Sequence, residues 1–191
     1  MRTSLWLLPL CTALSACNMA VSDHPMFSAK DRLTTPLKDG LWVADDPDCA
    51  FDINLPKEKW RNCAIWTIIS GNKFVEFSAA KGEDRPLGFL VAGGQPPIVQ
   101  IDTIEDGQHA YLFVAVDPTG RDAAGAVTSL NLWGIACGTV KTAGSNQVDP
   151  YPGIDKACHP LSTDALRAAA LASRPTTKEP DRMQWVRAEA R

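Results

Sequence analysis

The sequence predicts a mainly β fold: one antiparallel, barrel-like or sandwich domain, stapled by disulfides, with a single helix near its C-terminus. Runs of β-branched and aromatic residues recur about every ten residues with turn residues between them, which is typical of sandwiches and barrels. The apolar period becomes helical only after Pro160. The cysteines in the region predicted to fold can form two disulfides.

Residues 1–16 have the composition of an export signal. Arg2 is followed by the short apolar run 5–10 and then by small residues. This run is too short for a membrane-spanning helix, whereas it suits the apolar core of a secretory signal. The segment Leu14–Cys17, which reads Leu-Ser-Ala-Cys, resembles the lipobox of bacterial lipoproteins.

The resemblance implies that the signal is removed before Cys17, that its thiol receives diacylglycerol and that the new N-terminus is acylated. Two or more acyl chains hold a protein stably on a bilayer, whereas one does so only marginally. The next residue is Asn18 rather than the Asp that favours retention in the inner membrane of enterobacteria. We therefore expect a lipid anchor in the outer membrane, with the domain facing the periplasm or the cell surface. A plain secretory signal, with Cys17 present by chance, is the alternative.

Three regions are predicted along the chain: the signal at 1–16, the lipidated cysteine and a flexible tether at 17–35, and a single β-rich domain at 36–191. The tether is inferred from small, polar and proline residues that show no period. A net charge of −3 without a basic run argues against a nucleic-acid partner. The expected partners are the membrane, through the N-terminal lipid, and another envelope protein.

Strand patterns and one helix pattern fill the predicted domain. The hairpin signal is clearest where two β-rich runs flank Gly71 and Asn72. Ser162 can cap a helix over about 163–172 that Pro175 ends. The predicted strands lie around 41–43, 64–69, 74–77, 87–91, 98–102, 111–116 and 127–137, with a further strand or extended arm at 183–187.

The cysteines of the mature chain favour disulfides over a metal site. Cys11 leaves with the signal, and four thiols remain for an oxidising compartment: Cys49, Cys63, Cys137 and Cys158. Three pairings are open, and we expect the nearest neighbours to join, Cys49 with Cys63 and Cys137 with Cys158. A four-cysteine zinc site is disfavoured because neither pair has the close spacing of two ligands to one ion.

The sequence offers no catalytic motif and no glycine-rich phosphate or dinucleotide loop, so no cofactor and no metal is expected. Nothing in the spacing joins the three histidines, His24, His109 and His159. An acidic cluster lies around Pro47, and its aspartates are interpreted as turn-forming residues rather than as a cation site. The cluster consists of Asp45, Asp46, Asp48 and Asp52.

Tryptophans are the remaining candidates for binding. Trp42, Trp66 and Trp133 could line a pocket, although core packing explains tryptophans equally simply. The triplet Gly40–Trp42 resembles the Gly-x-Trp that opens the first strand of lipocalins. That resemblance implies a barrel that carries a small apolar ligand, with Arg187 as the candidate for the arginine that packs on the tryptophan.

The favoured function is that of a non-enzymatic envelope lipoprotein that binds a partner or ligand. The alternatives are a lipocalin-like carrier and an envelope hydrolase that uses carboxylates such as Asp45, Asp46 or Asp52. The interior of the domain discriminates among them. A deep apolar cavity lined by tryptophan supports the carrier, two carboxylates in an open cleft support the hydrolase, and a filled interior supports the interaction protein.

Overall fold

The computed structural model describes residues 18–45, 48–61, 63–78, 83–105, 107–141, 148–176 and 181–189. The predicted signal, Cys17 and Asp46 lie outside the described residues.

The described residues form strands of very different lengths and one α-helix, α1, at Thr163–Ala172. The strands are β1 Val21–Ser22, β2 Gly40–Ala44, β3 Trp66–Ser70, β4 Lys73–Ser78, β5 Glu83–Ala92, β6 Ile98–Glu105, β7 Gln108–Arg121, β8 Val127–Gly134, β9 Gly138–Val140, β10 Val148–Pro150 and β11 Asp181–Arg187.

Eight of these strands close into an antiparallel barrel, which confirms the predicted fold class. Strands β2 to β7 each pair with the next along the chain, up to β8. The last strand, β11, inserts between β8 and β2 and so joins the two ends of this meander. Closure leaves these eight strands without a free edge.

Alternation along the strands divides the side chains between the interior and the outer surface of the barrel. On β6, Val99 and Ile101 pack with the inner cluster around Trp42, whereas Ile98 packs with the outer cluster that contains α1. This is the two-residue period of a strand. The barrel therefore has an apolar interior and, over part of its circumference, a second apolar layer outside.

Helix α1 forms where its cap and apolar stripe predict it. The Ser162 hydroxyl oxygen accepts a hydrogen bond from the Ala165 amide at 3.1 Å, as an N-cap does. Leu166, Ala169 and Ala170 are fully buried against the outer face of the sheet. The helix therefore covers the barrel from outside and leaves its interior untouched.

The segment 18–35 differs from the flexible tether that its composition predicts. Val21 and Ser22 pair with β7, and Ala20 and Phe27 are 0% and 5% exposed. The buried Gln100 carboxamide accepts the Phe27 amide at 2.9 Å. A few apolar residues here bury themselves on the outer face of the barrel without any helical or strand period, which is why composition suggested a tether.

Two disulfides join the cysteines as expected. Cys49 and Cys63 are bonded, with Cα atoms 5.8 Å apart, and Cys137 and Cys158 are bonded, with Cα atoms 5.0 Å apart. Each closes a short loop and stabilises the fold by about 3 kcal/mol through the restricted unfolded chain. The first holds the loop that covers β2 to β4, and the second holds β9 against the loop before α1.

We expect Gly40→Ala to destabilise the barrel strongly. Gly40 has a φ of +130°, and an added Cβ would lie 2.3 Å from the Arg187 carbonyl oxygen. Gly71→Ala is the matched control, because Gly71 has a φ of +60° but an added Cβ would meet nothing within 4 Å. The control should lose only the cost of the left-handed backbone, about 1–2 kcal/mol. Equal losses in urea unfolding would contradict the close approach of β11 to β2.

Candidate ligand-binding cavity

A cavity of about 530 Å³ occupies the interior of the barrel. This volume is within the range of about 300–1,000 Å³ typical of small-molecule pockets. The residues that line it come from β2 to β8, from β11 and from the segments before β2 and β3. They are Leu37, Trp42, Ala64, Ile65, Trp66, Thr67, Ile69, Phe74, Val75, Phe89, Val99, Ile101, Val114, Val116, Leu130, Leu132 and Met183.

The lining is apolar, and none of these residues has an ionisable side chain. Among the described lining residues, the one hydroxyl is that of Thr67, and it donates to the Val75 carbonyl oxygen at 2.9 Å. The Trp42 indole N–H donates to the Lys38 carbonyl oxygen at 2.8 Å. Because a charge without a partner is costly in such surroundings, the cavity suits hydrocarbon rather than an ionic group.

Residues at the start of β3 line the cavity where the described pairing of β3 with β4 ends. The two strands pair only as far as Ile68 and Val75, whereas β4 continues its pairing with β5 to Ser78. Trp66 and Val75 pack in the outer cluster, yet both also line the cavity. Residues of the interior and of the outer cluster therefore both contribute to this part of the cavity.

Ile65 lies where the cavity meets the surface. It precedes β3 and has the same phase as Thr67 and Ile69, which also line the cavity, but its own surface is 67% exposed. An exposed isoleucine that also lines the cavity provides apolar surface at the point where a ligand would first make contact.

The end of the barrel at the start of β2 is held by contacts of Trp42, Trp185 and Lys38. Trp42 and Trp185 are cross-strand partners of β2 and β11, and the Trp185 indole donates to the Asp39 carbonyl oxygen at 2.9 Å. The Lys38 Nζ lies 4.1 Å from the centroid of the Trp185 ring and 2.9 Å from Asp122. A cation over an indole and an ion pair together fix this end.

Arg187 does not take the role that the lipocalin resemblance suggested for it. Its guanidinium lies 5.8 Å from the Trp60 ring centroid and donates to the Ile53 carbonyl oxygen at 3.1 Å. The bulge between Trp185 and Arg187 shifts the register of β11 at this point. The side chain that packs on Trp42 is that of its cross-strand neighbour, Trp185, which Lys38 in turn covers.

The structure separates the three tryptophans singled out in the sequence. Trp42 is directed into the barrel, and Trp66 packs in the outer cluster while contributing to the wall of the cavity. Trp133 lies beneath α1 on the outer face, where its indole donates to the Ala170 carbonyl oxygen at 2.9 Å. Trp133 is not among the described lining residues of this cavity, because it is out of phase with Leu130 and Leu132, which do line it.

The aspartates near Pro47 do not approach the cavity in the described residues. Asp45 pairs with Arg182 at 3.9 Å. The Asp52 carboxylate accepts the Asn54 amide at 2.9 Å, which is the turn-forming role expected of it. Neither residue lines the cavity.

Each histidine lies beside a neighbouring carboxylate. His24 lies beside Asp23, His109 Nδ1 is 2.9 Å from Asp102, and His159 Nδ1 is 3.8 Å from Asp155. Among the described residues, no three His, Cys, Asp or Glu side chains are grouped so that they could hold a metal ion.

By its architecture, the molecule is a closed eight-stranded antiparallel barrel with a hollow apolar interior. Comparison of the chain with protein-family models, with curated proteins and with solved structures finds no match. Sequence reasoning missed most of the lining, which consists of Val, Leu, Ile and Phe. Strand alternation alone would have assigned these residues to one face of the sheet, but it could not show that this face surrounds a cavity.

The stability of the fold should depend on acid pH through the ion pair between Lys38 and Asp122. Its hydrogen bond to the Lys38 ammonium lowers the pKa of this carboxyl below its ordinary value of 3.8. The resulting stabilisation is present above the ordinary pKa and is lost as the pH falls through the lower value of the folded protein. Asp122→Asn should therefore lower the Tm at pH 7, and the difference from the wild type should shrink below about pH 3.8.

The matched control is Asp52→Asn, which changes a turn-capping aspartate in another part of the fold. Melting curves from pH 7 to pH 2 provide the measurement. A Tm difference for Asp122→Asn that stays constant down to pH 2 would show that the ion pair with Lys38 contributes nothing.

Proposed function

We propose that this protein binds a small apolar molecule, or the hydrocarbon part of an amphiphile, inside its barrel, and that it is held on the outer membrane by lipid on Cys17. The observation that carries the binding proposal is the apolar cavity of about 530 Å³, which reaches the surface at the exposed Ile65.

The driving force for binding is the removal of hydrocarbon from water. Each buried CH₂ group contributes about 0.8 kcal/mol. Half-buried side chains such as Val99, Ile101 and Val114 surround the cavity and have apolar surface left to cover. A ligand that fills this space would bury both its own surface and theirs.

The two competing functions fit the interior less well. A domain that acts only as an interaction surface has no use for a hollow core, since empty apolar space costs stability. A glycan hydrolase needs two carboxylates facing one space, about 5–10 Å apart. The described lining of this cavity contains no carboxylate.

The location is supported by the N-terminal sequence. The lipobox resemblance at Leu14–Cys17 favours acylation of Cys17, and Asn18 after it favours transfer to the outer membrane. Within the described residues, no helix is both long and apolar enough to span a bilayer.

Filling the cavity should abolish binding without unfolding the protein. In Val114→Trp, an indole replaces an isopropyl group on β7 and occupies the space of the ligand. We expect an apolar fluorescent probe, N-phenyl-1-naphthylamine, to bind the wild type and to lose at least tenfold in affinity for this variant. Fluorescence titration measures the affinity, and circular dichroism verifies the fold.

The matched control for this experiment is Val140→Trp, the same substitution at a position that is 47% exposed on β9. It should bind the probe as the wild type does. If Val114→Trp is folded and binds the probe with unchanged affinity, binding inside the barrel is refuted.

Acylation of Cys17 is tested independently of ligand binding. Cys17→Ser should prevent incorporation of labelled fatty acid and release the protein from the membrane fraction, because the thiol is the site of lipid attachment. Ser15→Ala, which leaves the cysteine in place, is the control and should remain acylated. Labelled Cys17→Ser that sediments with membranes would overturn the anchor.

A further inference from the structure

The residue next to the proposed lipid site is fixed firmly to the fold. The Asn18 side chain donates to the Gly138 carbonyl oxygen at 2.7 Å and accepts the Gly138 amide at 3.2 Å. The Asn18 carbonyl oxygen accepts the Cys137 amide at 3.1 Å. Asn18 thus makes two side-chain bonds and one main-chain bond to the start of β9.

The residues that follow continue this attachment. Ala20 donates its amide to the Ile135 carbonyl oxygen at 2.8 Å, and Val21 donates to that of Cys158 at 3.1 Å. The Cys137–Cys158 disulfide joins the two acceptor regions covalently. The chain therefore cannot peel away from this surface one residue at a time without breaking several hydrogen bonds.

This attachment leaves almost no chain between the lipid and the domain. The Cα atoms of consecutive residues are about 3.8 Å apart, so lipid on Cys17 begins within one residue of Asn18. A free tether over 17–35 would instead span roughly 20–25 Å as a flexible coil.

We propose that the surface formed by β9, β10 and the loop 155–159, here called the anchor face, lies against the headgroups of the bilayer that holds the lipid of Cys17. The inference rests on the proposed acylation of Cys17. It adds to that proposal a fixed contact and a fixed orientation of the barrel.

The chemistry of the anchor face suits the headgroup region. Val140 is 47% exposed and lies two residues along the strand from Gly138, or about 7 Å. Lys141 follows it in the chain and is exposed, with its Nζ 3.6 Å from the Asp149 carboxylate, and Lys156 is exposed on the loop 155–159. An exposed valine with neighbouring lysines can contact the acyl boundary and the lipid phosphates together.

The test measures how close the anchor face lies to lipid in the full acylated protein. Val140→Cys carries an environment-sensitive fluorophore, and the protein is reconstituted into vesicles of phosphatidylethanolamine and phosphatidylglycerol that contain a headgroup nitroxide quencher. Asn72→Cys is the control. Asn72 lies in the turn between β3 and β4, and β3 is four strands from β7 in either direction around the barrel. Peptide mapping verifies both native disulfides.

We expect strong quenching at position 140 and at least threefold weaker quenching at position 72. Insertion of about twenty Gly and Ser residues between Cys17 and Asn18 should reduce the quenching at 140 by at least twofold, since a coil of that length lifts the domain by roughly 20–25 Å.

Mass spectrometry of the N-terminal peptide separates the two possible failures. A peptide without lipid at Cys17 overturns the anchor itself. A lipidated peptide with equal quenching at 140 and 72 overturns the anchor face and leaves the anchor standing. Stronger quenching at 140 that the linker does not change supports the anchor face but shows that the short attachment does not fix its orientation.

Discussion

Closure of the sheet by β11 is the constraint on which the rest of the molecule depends. This strand is separated in the chain from its neighbours by α1, yet it pairs with both β8 and β2. It passes close over Gly40, and its Trp185 is the cross-strand partner of Trp42. Without β11, two strand edges would be free, and the interior would be a groove rather than a cavity.

A hollow interior needs other sources of stability, and this fold has them outside the barrel. One outer cluster joins α1 and the N-terminal segment to β5–β8, and another joins the disulfide-closed loop after β2 to β2–β4. Burial of apolar side chains in these layers offsets the packing free energy that an unfilled interior does not provide. The separation of stabilising layers from the binding space explains why fully buried side chains such as Phe113 and Leu166 lie on the outer side.

Local patterns made the strands, the helix and the cysteine pairing predictable, because alternation, an N-cap at Ser162 and short loop separations act over a few residues. Trp133 lies outside the described cavity lining because one residue of phase decides which face of a strand it occupies. The docking of 18–35 was missed because its buried residues, Ala20 and Phe27, follow no period. The sequence could suggest a cavity as one alternative but could not predict its volume, since that volume depends on how eight strands close and not on any one of them.

The position of Ile65 has a consequence for exchange of the proposed ligand. β1, which continues from Asn18, pairs with β7, and β3, which follows Ile65, is the strand farthest from β7 around the barrel. In the proposed lipid-anchored protein, this part of the cavity would face the aqueous compartment rather than the leaflet beneath the barrel. The proposed ligand would then be exchanged with a donor or acceptor that diffuses in that compartment. The exchange rates would depend on the concentration of this donor or acceptor and not on lateral diffusion of lipid.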